Sequence, residues 1–369
     1  MTKLRVGVLF GGRSAEHEVS LLSAKNIIQA LDRNKYEPVL IGIDKQGGWH
    51  LQDEASFLIN AHDPKAIALA PATSTMTISP AREPGALMPE ALSPAARASF
   101  KPLDVIFPVL HGTFGEDGTV QGLLKLLGIP FVGASILGSS VGMDKDVMKR
   151  LLRDAGLPIG KFKTLHREAA SQPSYEALAA ELGDILFIKP ANAGSSVGVS
   201  KVRNQTELTT ALAEAFRFDR KVLVEEFIKG REIECAVLGN FDPIASTLGE
   251  IIPTHEFYSY EAKYLDEHGA RLEIPAKISP EATKKVQQIA IQTFKALDCE
   301  GMGRVDVFVT EQEAIYVNEI NTIPGFTKIS MYPKLLEASG IGYAELIDRL
   351  ITLAIERFQE ESKSQTSAH

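Results

Sequence analysis

Apolar and polar positions change period several times along this chain. LRVGVLF (4–10) is a continuous apolar run of the kind that forms a buried strand, and Gly11-Gly12-Arg13-Ser14 follows as a loop. Val19, Leu22, Ile27, Ile28 and Leu31 then fall on one face of a helix, and VLIGID returns to strand. Strand, helix and strand in that order predict a βαβ unit and a parallel sheet. From about residue 70 to 99 the chain is rich in Ala, Pro, Ser and Thr with little periodicity, which reads as a surface excursion. DVIFPVLHG resumes the sheet and IPFVGA closes this first unit. Met143 to Leu157 reads as one helix carrying Lys145, Lys149 and Arg150. ILFIKP and KVLVEEF read as strands, with a Gly/Ser loop and a helix from Glu207 to Phe218 between them. EIECAVLG and GEIIP are further strands, followed by a polar loop from Thr254 to Glu273 and a helix from Pro280 to Leu297. A last helix runs from Tyr343 to Arg357, and the tail from Gln359 reads as disordered.

The segment 303–330, GRVDVFVTEQEAIYVNEINTIPGFTKIS, breaks the apolar pattern in an informative way. RVDVFVT and AIYVNEIN are strand patterns around a Glu311-Gln312-Glu313 turn. A hairpin folded about Gln312 and Glu313 sets Thr310 against Ile315, Asp306 against Glu319 and Arg304 against Asn321. Residues two apart on a strand share a face, so all four polar groups gather on one side. Two opposed carboxylates repel unless something neutralises them. A divalent cation does so, and carboxylate and amide oxygens suit Mg²⁺. A solvent-facing hairpin with scattered charge is the plain alternative. Asn321 and the Pro-Gly loop weigh against it.

Composition narrows the class. At 369 residues there is length for two or three domains, and a hydrophobic content of 44% with 23% charged residues is ordinary for a globular protein. A net charge of −8 argues against a nucleic-acid binder, and no apolar run reaches membrane-spanning length. LRVGVLF near the start lacks the layout of a signal peptide, so a cytoplasmic location is expected. Only Cys235 and Cys299 occur, which leaves no disulfide framework and no cysteine zinc site; both read as core filler.

Several loops carry candidate chemistry. Lys189 to Gly198, KPANAGSSVG, follows a strand, and its Gly and Ser residues offer close backbone approach and donors for a phosphate. Taken alone it is equally an ordinary Gly-rich turn. No Walker A motif is present: GASILGSS (133–140) lacks the lysine, and GVLFGGRSAE fails the dinucleotide glycine spacing. Glu225, Glu226, Phe227 and Ile228 end a strand where they could face an adenine or ribose, or simply an exposed edge. Glu232 and Glu234 are open to the same plain reading as surface charge. HGTFGEDGTVQG (111–122) follows a strand of the first unit, at the sheet end where ligands bind in α/β folds. SAEHEVS (14–20) opens the first helix in the same layer. EFYSYEAKYLDEHG (256–269) has the length and polarity of a lid, and Lys263 and Tyr264 could close over a phosphate. Gly325 can aim its N–H at a developing oxyanion, with Arg304 supplying charge.

Together these motifs resemble the D-alanine–D-alanine ligases of the ATP-grasp superfamily. The resemblance runs in order through GGRSAEHEVS, HGTFGEDG, MDKDVMKRLL, FIKPANAGSSVGVSKV, VEEFIKGREIE, EFYSYEAKY, GRVDVFV and NEINTIPGFTKISMYPKL. It covers nearly the whole chain except 70–99 and the tail. It implies an α/β fold of three domains: an N-terminal parallel-sheet, Rossmann-like domain (1–137), then two mixed-sheet domains (138–225 and 226–361) that hold ATP between them, with a disordered tail (362–369). It implies that Lys145, Lys189, Ser195 and Ser196 hold ATP phosphates, and that Glu225, Glu226, Phe227, Ile228 and Glu232 bind adenine and ribose. Asp306, Glu319 and Asn321 would carry two Mg²⁺ or Mn²⁺ ions; a monovalent cation such as K⁺ stays open. Lys263 would reach the γ-phosphate. Glu16, tied to Ser195 and Tyr264, would receive the ammonium of the first D-alanine, and His111 would orient it. Ser330 and the Met331 backbone would hold the carboxylate of the second, with Arg304 and the Gly325 N–H on the tetrahedral oxyanion. Tyr264 would favour a dipeptide over a D-alanyl-D-lactate product. The family also implies a homodimer that joins two D-alanines for cell-wall precursors. Another ATP-grasp enzyme, a nucleotide-dependent dehydrogenase and an inactive binding protein are the competing readings. SAEHEVS with HGTFGEDG, the failed glycine spacing, and the intact Asp306, Glu319, Asn321 and Arg304 respectively argue against them.

Overall fold

The computed structural model describes residues 3–64, 66–72, 74–78, 87–90, 101–169, 171–253 and 270–364. The expected βαβ unit forms the centre of a six-stranded sheet. Strands β1 (Leu4–Gly11) and β2 (Tyr36–Ile43) pair in parallel across the helix His17–Ala30. β3 (Trp49–Gln52) then turns back antiparallel to β2, and β4 (Leu58–Ile59) pairs with β5 (Ala68–Leu69) as a separate short ribbon. β6 (Ser74–Ile78) and β7 (Leu87–Pro89) extend the main sheet antiparallel, and β8 (Val105–Val109) pairs in parallel with β1. The order is β7-β6-β3-β2-β1-β8. Within the surface excursion expected over 70–99, residues 74–78 and 87–89 are strands at one end of the sheet. Thr75-Met76-Thr77-Ile78 alternates polar and apolar residues, a strand pattern that the Pro- and Ala-rich surroundings obscure.

The helix expected from Met143 to Leu157 runs Lys145–Asp154, and a separate helix, Ile136–Met143, ends just before it. Asp144 between them is extended (φ −82°, ψ 98°), and its side chain accepts from the N–H groups of Asp146 and Val147. An N-capping aspartate starts a new helix rather than continuing an old one. Next come β9 (Phe162–His166), β10 (Leu186–Pro190), β11 (Ser200–Val202) and β12 (Lys221–Glu226), an antiparallel sheet in the order β11-β10-β12-β9. The helices Tyr175–Leu182 and Gln205–Phe218 bury Leu178, Leu208, Leu212 and Ala215 against it.

The third sheet is antiparallel, in the order β15-β14-β13-β16-β17. It comprises β13 (Arg231–Gly239), β14 (Ile244–Pro253), β15 (Ala270–Glu273), β16 (Gly301–Val309) and β17 (Ile315–Asn321). Residues 270–273, expected as loop, are thus a strand. The helix Pro280–Ala296 packs on one face, with Val286, Ala290 and Phe294 buried. The helices Met331–Ala338 and Tyr343–Glu361 pack on the other. The last helix continues past Arg357 to Glu361, so the expected disorder from Gln359 is corrected for its first residues. Cys235 and Cys299 are both buried core residues, and burial raises their thiol pKa values. One apolar cluster joins Val8 and Phe107 of the first sheet to Phe326, Tyr332 and Leu350 of the C-terminal helices and their lead-in loop. Phe107 meets Phe326 edge-on at 5.9 Å. This shared core fixes the first and third sheets against each other, and the middle sheet keeps a core of its own.

Candidate active site

The polar face of the 303–330 hairpin exists, by a route the sequence hides. Val309 faces Ile315 and the Thr310 N–H bonds the Ala314 carbonyl at 2.9 Å, so the turn is one residue out of the expected register. A bulge between Asp306 and Val307 on one side and Glu319 and Val317 on the other takes up that residue at Asn318. Arg304 then faces Asn321 and Asp306 faces Glu319, as anticipated. Without the bulge Glu319 would turn toward the core, because a one-residue slip swaps the faces of a strand. Across β13, Glu234 faces Asp306 from the other side. Glu234 is buried, not surface charge, and its carboxylate lies 3.1 Å from Arg304 Nε. Arg304 also grips Asp306 with two hydrogen bonds, 2.8 and 2.7 Å. Glu319 is matched in turn by Lys145 Nζ at 3.3 Å.

The middle sheet supplies the opposing cations. Phe187 and Lys189 lie two apart on β10 and share a face, and Glu225 sits opposite Phe187 on β12. Lys189 Nζ is 2.8 Å from Glu225, and Lys149, from the helix Lys145–Asp154, reaches the same carboxylate at 3.1 Å. Burial alone would raise the Glu225 pKa; the two ammonium groups outweigh it and hold the carboxyl down at about 2. Burial would lower Lys189, and Glu225 reverses this and holds it above its usual value. Phe227 stacks on Phe187 at 5.9 Å, with Lys201 Nζ 4.8 Å from the Phe227 ring centre. With Ile228 these rings make an apolar slot beside the charged groups. Glu226 accepts from the Lys161 N–H at 2.7 Å.

Loops of the first sheet close the far end. Glu16, at the start of the first helix, is buried, and Ser195 Oγ donates to its Oε1. Ser195 and Ser196 hold left-handed backbone (φ 51° and 60°), a strained state for residues with a Cβ that turns the loop tip toward Glu16. A side chain at Gly112 would come within 2.6 Å of Glu16 Oε2, so glycine leaves room for that carboxylate. Glu116, which the motif contained but sequence reasoning did not single out, is fully buried and accepts from the N–H groups of Gly112 (2.6 Å) and Ile323 (3.1 Å). Burial and the neighbouring Glu16 push its carboxyl up to about 8. His111 donates from Nδ1 to the Ile323 carbonyl at 2.9 Å, and its Nε2 lies 3.3 Å from Ser23 Oγ, which accepts from the Phe326 N–H. Burial lowers the His111 pKa, so the ring is neutral near pH 7. His111 braces the Pro-Gly loop and does not line the cavity described next.

All these elements border one cavity of about 460 Å³. Its wall includes Glu16, Lys145, Lys189, Ser195, Ser196 and Glu225; then Glu226, Phe227, Ile228, Glu232 and Arg304; and then Asp306, Glu319, Asn321, Gly325, Ser330 and Met331. Lys263 and Tyr264 lie outside the described residues. A Cβ on Gly325 would meet Ser330 Oγ at 2.7 Å, so glycine keeps that hydroxyl in place. Ser330 Oγ accepts from the Thr327 N–H at 2.9 Å and does not cap the helix Met331–Ala338 that begins beside it. That helix start presents N–H groups suited to an anion. The oxygen donors Asp306, Glu319 and Asn321 fit a divalent cation. Asn321 Oδ1 is buried with no hydrogen-bond partner among the described residues, which is a place for an electrophile. Among the described residues no three His, Cys, Asp or Glu side chains are grouped to hold a metal unaided. Mg²⁺ accepts such a partial set when phosphate oxygens complete its shell.

Two family models match consecutive parts of the chain: the D-ala D-ala ligase N-terminus over residues 5–134 and the D-ala D-ala ligase C-terminus over 151–352. A D-alanine–D-alanine ligase of Oceanobacillus iheyensis is 55% identical over 368 residues, 99% of each chain. D-alanine–D-alanine ligase A of Escherichia coli K12 is 53% identical over 367 residues, 100% of each. Among solved structures, the D-alanine–D-alanine ligase of Coxiella burnetii superposes with a TM-score of 0.85 at 42% identity, over 98% of this chain and 97% of that one. The VanG D-Ala:D-Ser ligase of Enterococcus faecalis gives 0.82 at 38% identity, over 96% and 100%.

Proposed function

The chain belongs to the D-alanine–D-alanine ligase family, and from that premise we propose how its cavity works. It is an ATP-dependent ligase that makes D-alanyl-D-alanine for cell-wall precursors. The chemical problem is that a carboxylate is a poor acyl acceptor for an amine. In the mechanism we infer, a carboxylate oxygen of the first D-alanine attacks the γ-phosphorus of ATP and ADP departs. The amine of the second D-alanine then attacks the acyl phosphate. Inorganic phosphate leaves with the oxygen it took from the carboxylate, and the amine loses a proton.

Lys145, Lys189, Ser195 and Ser196 bind the phosphates, and Glu225, Glu226, Phe227, Ile228 and Glu232 line the adenine and ribose end. Glu16, steadied by Ser195, receives the first ammonium. His111 acts on that substrate through the loop it braces. Arg304 and the Gly325 N–H face the oxyanion, where preset donors have most effect. Ser330 and the Met331 N–H take the second carboxylate. Asp306, Glu319 and Asn321 would hold two Mg²⁺ or Mn²⁺ ions, which when bound offset charge on the transferring phosphoryl group. Lys263 closes on the γ-phosphate, and Tyr264 joins Glu16 and Ser195 and favours the dipeptide. An acyl phosphate hydrolyses in water, which gives such a closing segment its purpose.

No helix among the described residues is long and apolar enough to cross a membrane. We place the enzyme in the cytoplasm as a homodimer of three-domain chains. The observation that carries the reading is the convergence of phosphate-type cations, a carboxylate pair and Glu16–Ser195 on one cavity from three separate sheets. Incubating the protein with ATP, Mg²⁺ and a panel of D-amino acids, D-serine and D-lactate included, tests it. Phosphate release should depend on D-alanine and yield the dipeptide. Release indifferent to D-alanine, or none, contradicts the reading.

A further inference from the structure

We propose that Lys221, which does not line the cavity, is a positioning residue for the phosphate-binding corner. The proposal rests on the reading above, in which Lys145 and the loop after β10 bind ATP. Lys221 Nζ lies 2.7 and 2.6 Å from the two oxygens of Asp144 and 3.2 Å from Asp146. Asp144 caps the helix whose first residue is Lys145, accepting from the Asp146 and Val147 N–H groups at 3.1 Å each. The Lys145 backbone N–H donates to the Ala191 carbonyl at 3.0 Å, and its ammonium reaches the Ala193 carbonyl at 2.9 Å. The Ala191 N–H in turn donates to the Lys221 carbonyl at 2.9 Å. Lys221 therefore holds the helix start with its side chain and the loop start with its backbone.

A second strut closes the ring. Asp219 accepts from the Asn192 N–H and side-chain amide, both at 2.9 Å, and from the Lys221 N–H at 3.1 Å. Asn192 Nδ2 also reaches Asp144 at 3.3 Å. Charge explains why an ammonium stands here. Asp144 and Asp146 are both mostly buried and both within reach of Lys221, and like charges so close repel. Arg150 offers Asp146 a second cation at 3.0 Å, whereas Asp144 pairs with Lys221 at 2.6 Å. Loss of Lys221 thus falls on the cap, one residue from Lys145.

The test compares the parent with Lys221→Met, Lys221→Arg and Asn192→Ala. Readouts are the Kd for ADP with Mg²⁺ by calorimetry, separate KM values for ATP and D-alanine, and Tm. In Lys221→Met the ADP Kd and the ATP KM should both rise on the order of tenfold, the loss that misplaced supporting contacts commonly cause. KM for D-alanine should stay near the parent value. Lys221→Arg keeps the charge and should recover most of the loss. Asn192→Ala breaks the ring from the loop side and should repeat the nucleotide-selective defect, also where Lys221→Met fails to fold. Unchanged nucleotide affinity with a lower Tm, or parallel rises in both KM values, overturns the proposal. A parent that binds ADP without D-alanine-dependent turnover defeats the functional reading and leaves the binding comparison standing. A parent that binds no ADP defeats both.

Discussion

Arg304 and Lys145 each hold a carboxylate that the mechanism assigns to a metal, Asp306 and Glu319 respectively. The protein alone thus balances these charges, and in the proposed mechanism cations that enter with ATP take the carboxylates while Arg304 and Lys145 turn to oxyanion and phosphate. Glu319→Gln keeps shape and removes the charge. Turnover should fall by more than about 100-fold, beyond the usual loss from outer-sphere partners of a metal site, with Tm unchanged or higher. Near-parental kcat would refute the metal assignment. His111 gives a pH signature. Its folded pKa lies below the unfolded value of about 6.5, so between the two the unfolded chain binds more protons. The stability it contributes is complete above about 6.5 and fades as pH falls below that. Urea midpoints on either side should show a loss in the parent that His111→Gln lacks; equal pH dependence would rule this out. Residue types led to Lys189 and Asp306 directly, since their chemistry is unusual where they stand, whereas Glu16 was reached through the family resemblance. Glu116, Lys149, Phe187 and Glu234 were harder to see. Each reads as ordinary surface charge or core apolar surface until a second segment comes against it.

Elements set the site through their irregularities. The Asn318 bulge turns Glu319 to the cavity, and Asp144 ends one helix and caps the next so that Lys145 begins a turn. The two polar facing pairs were legible from alternation, yet the assumed tight turn was one residue out and the bulge restored the match. A bulge leaves no mark in a period-two pattern beyond two adjacent polar residues, Asn318 and Glu319. Asp144 is readable as a cap, which a helix begun at Met143 passes over. The C-terminal helix Tyr343–Glu361 has a fastening role. Arg357 is buried, donates to the Phe131 carbonyl at 2.7 Å and to that of Gly133, and lies 4.5 Å from the Phe131 ring centre. Arg357→Leu strands those acceptors. Chemical denaturation should show a loss of at least about 1–3 kcal/mol, the cost of a buried polar group left unpaired, with both KM values unchanged. Parental stability would show the clamp to be idle.

At the scale of the whole molecule, apolar cores join neighbouring parts and polar groups line the cleft between them. The first and third sheets share a continuous core through Phe107, Phe326 and Tyr332. The middle sheet and the helix before it meet the third sheet through polar groups, Lys145 with Glu319, Lys189 with Asn318 and the Val317 N–H with the Pro158 carbonyl at 2.8 Å, and through Met148, Leu152 and Leu157 packed into the third sheet's core. Charged side chains from separate parts of the chain therefore collect in one cleft, where a nucleotide and two amino acids can be brought together. Motif order across the chain made this architecture legible through resemblance. Strand order and the shared core depend on contacts between distant segments, which no local pattern records. The central claim is that the cavity activates a D-alanine carboxylate by phosphorylation before the peptide bond forms. Its most direct test supplies D-alanine with a heavy-oxygen-labelled carboxylate, together with ATP and Mg²⁺, and analyses the inorganic phosphate by mass. The account predicts one labelled oxygen in the phosphate for each dipeptide made; dipeptide formation with unlabelled phosphate would contradict it.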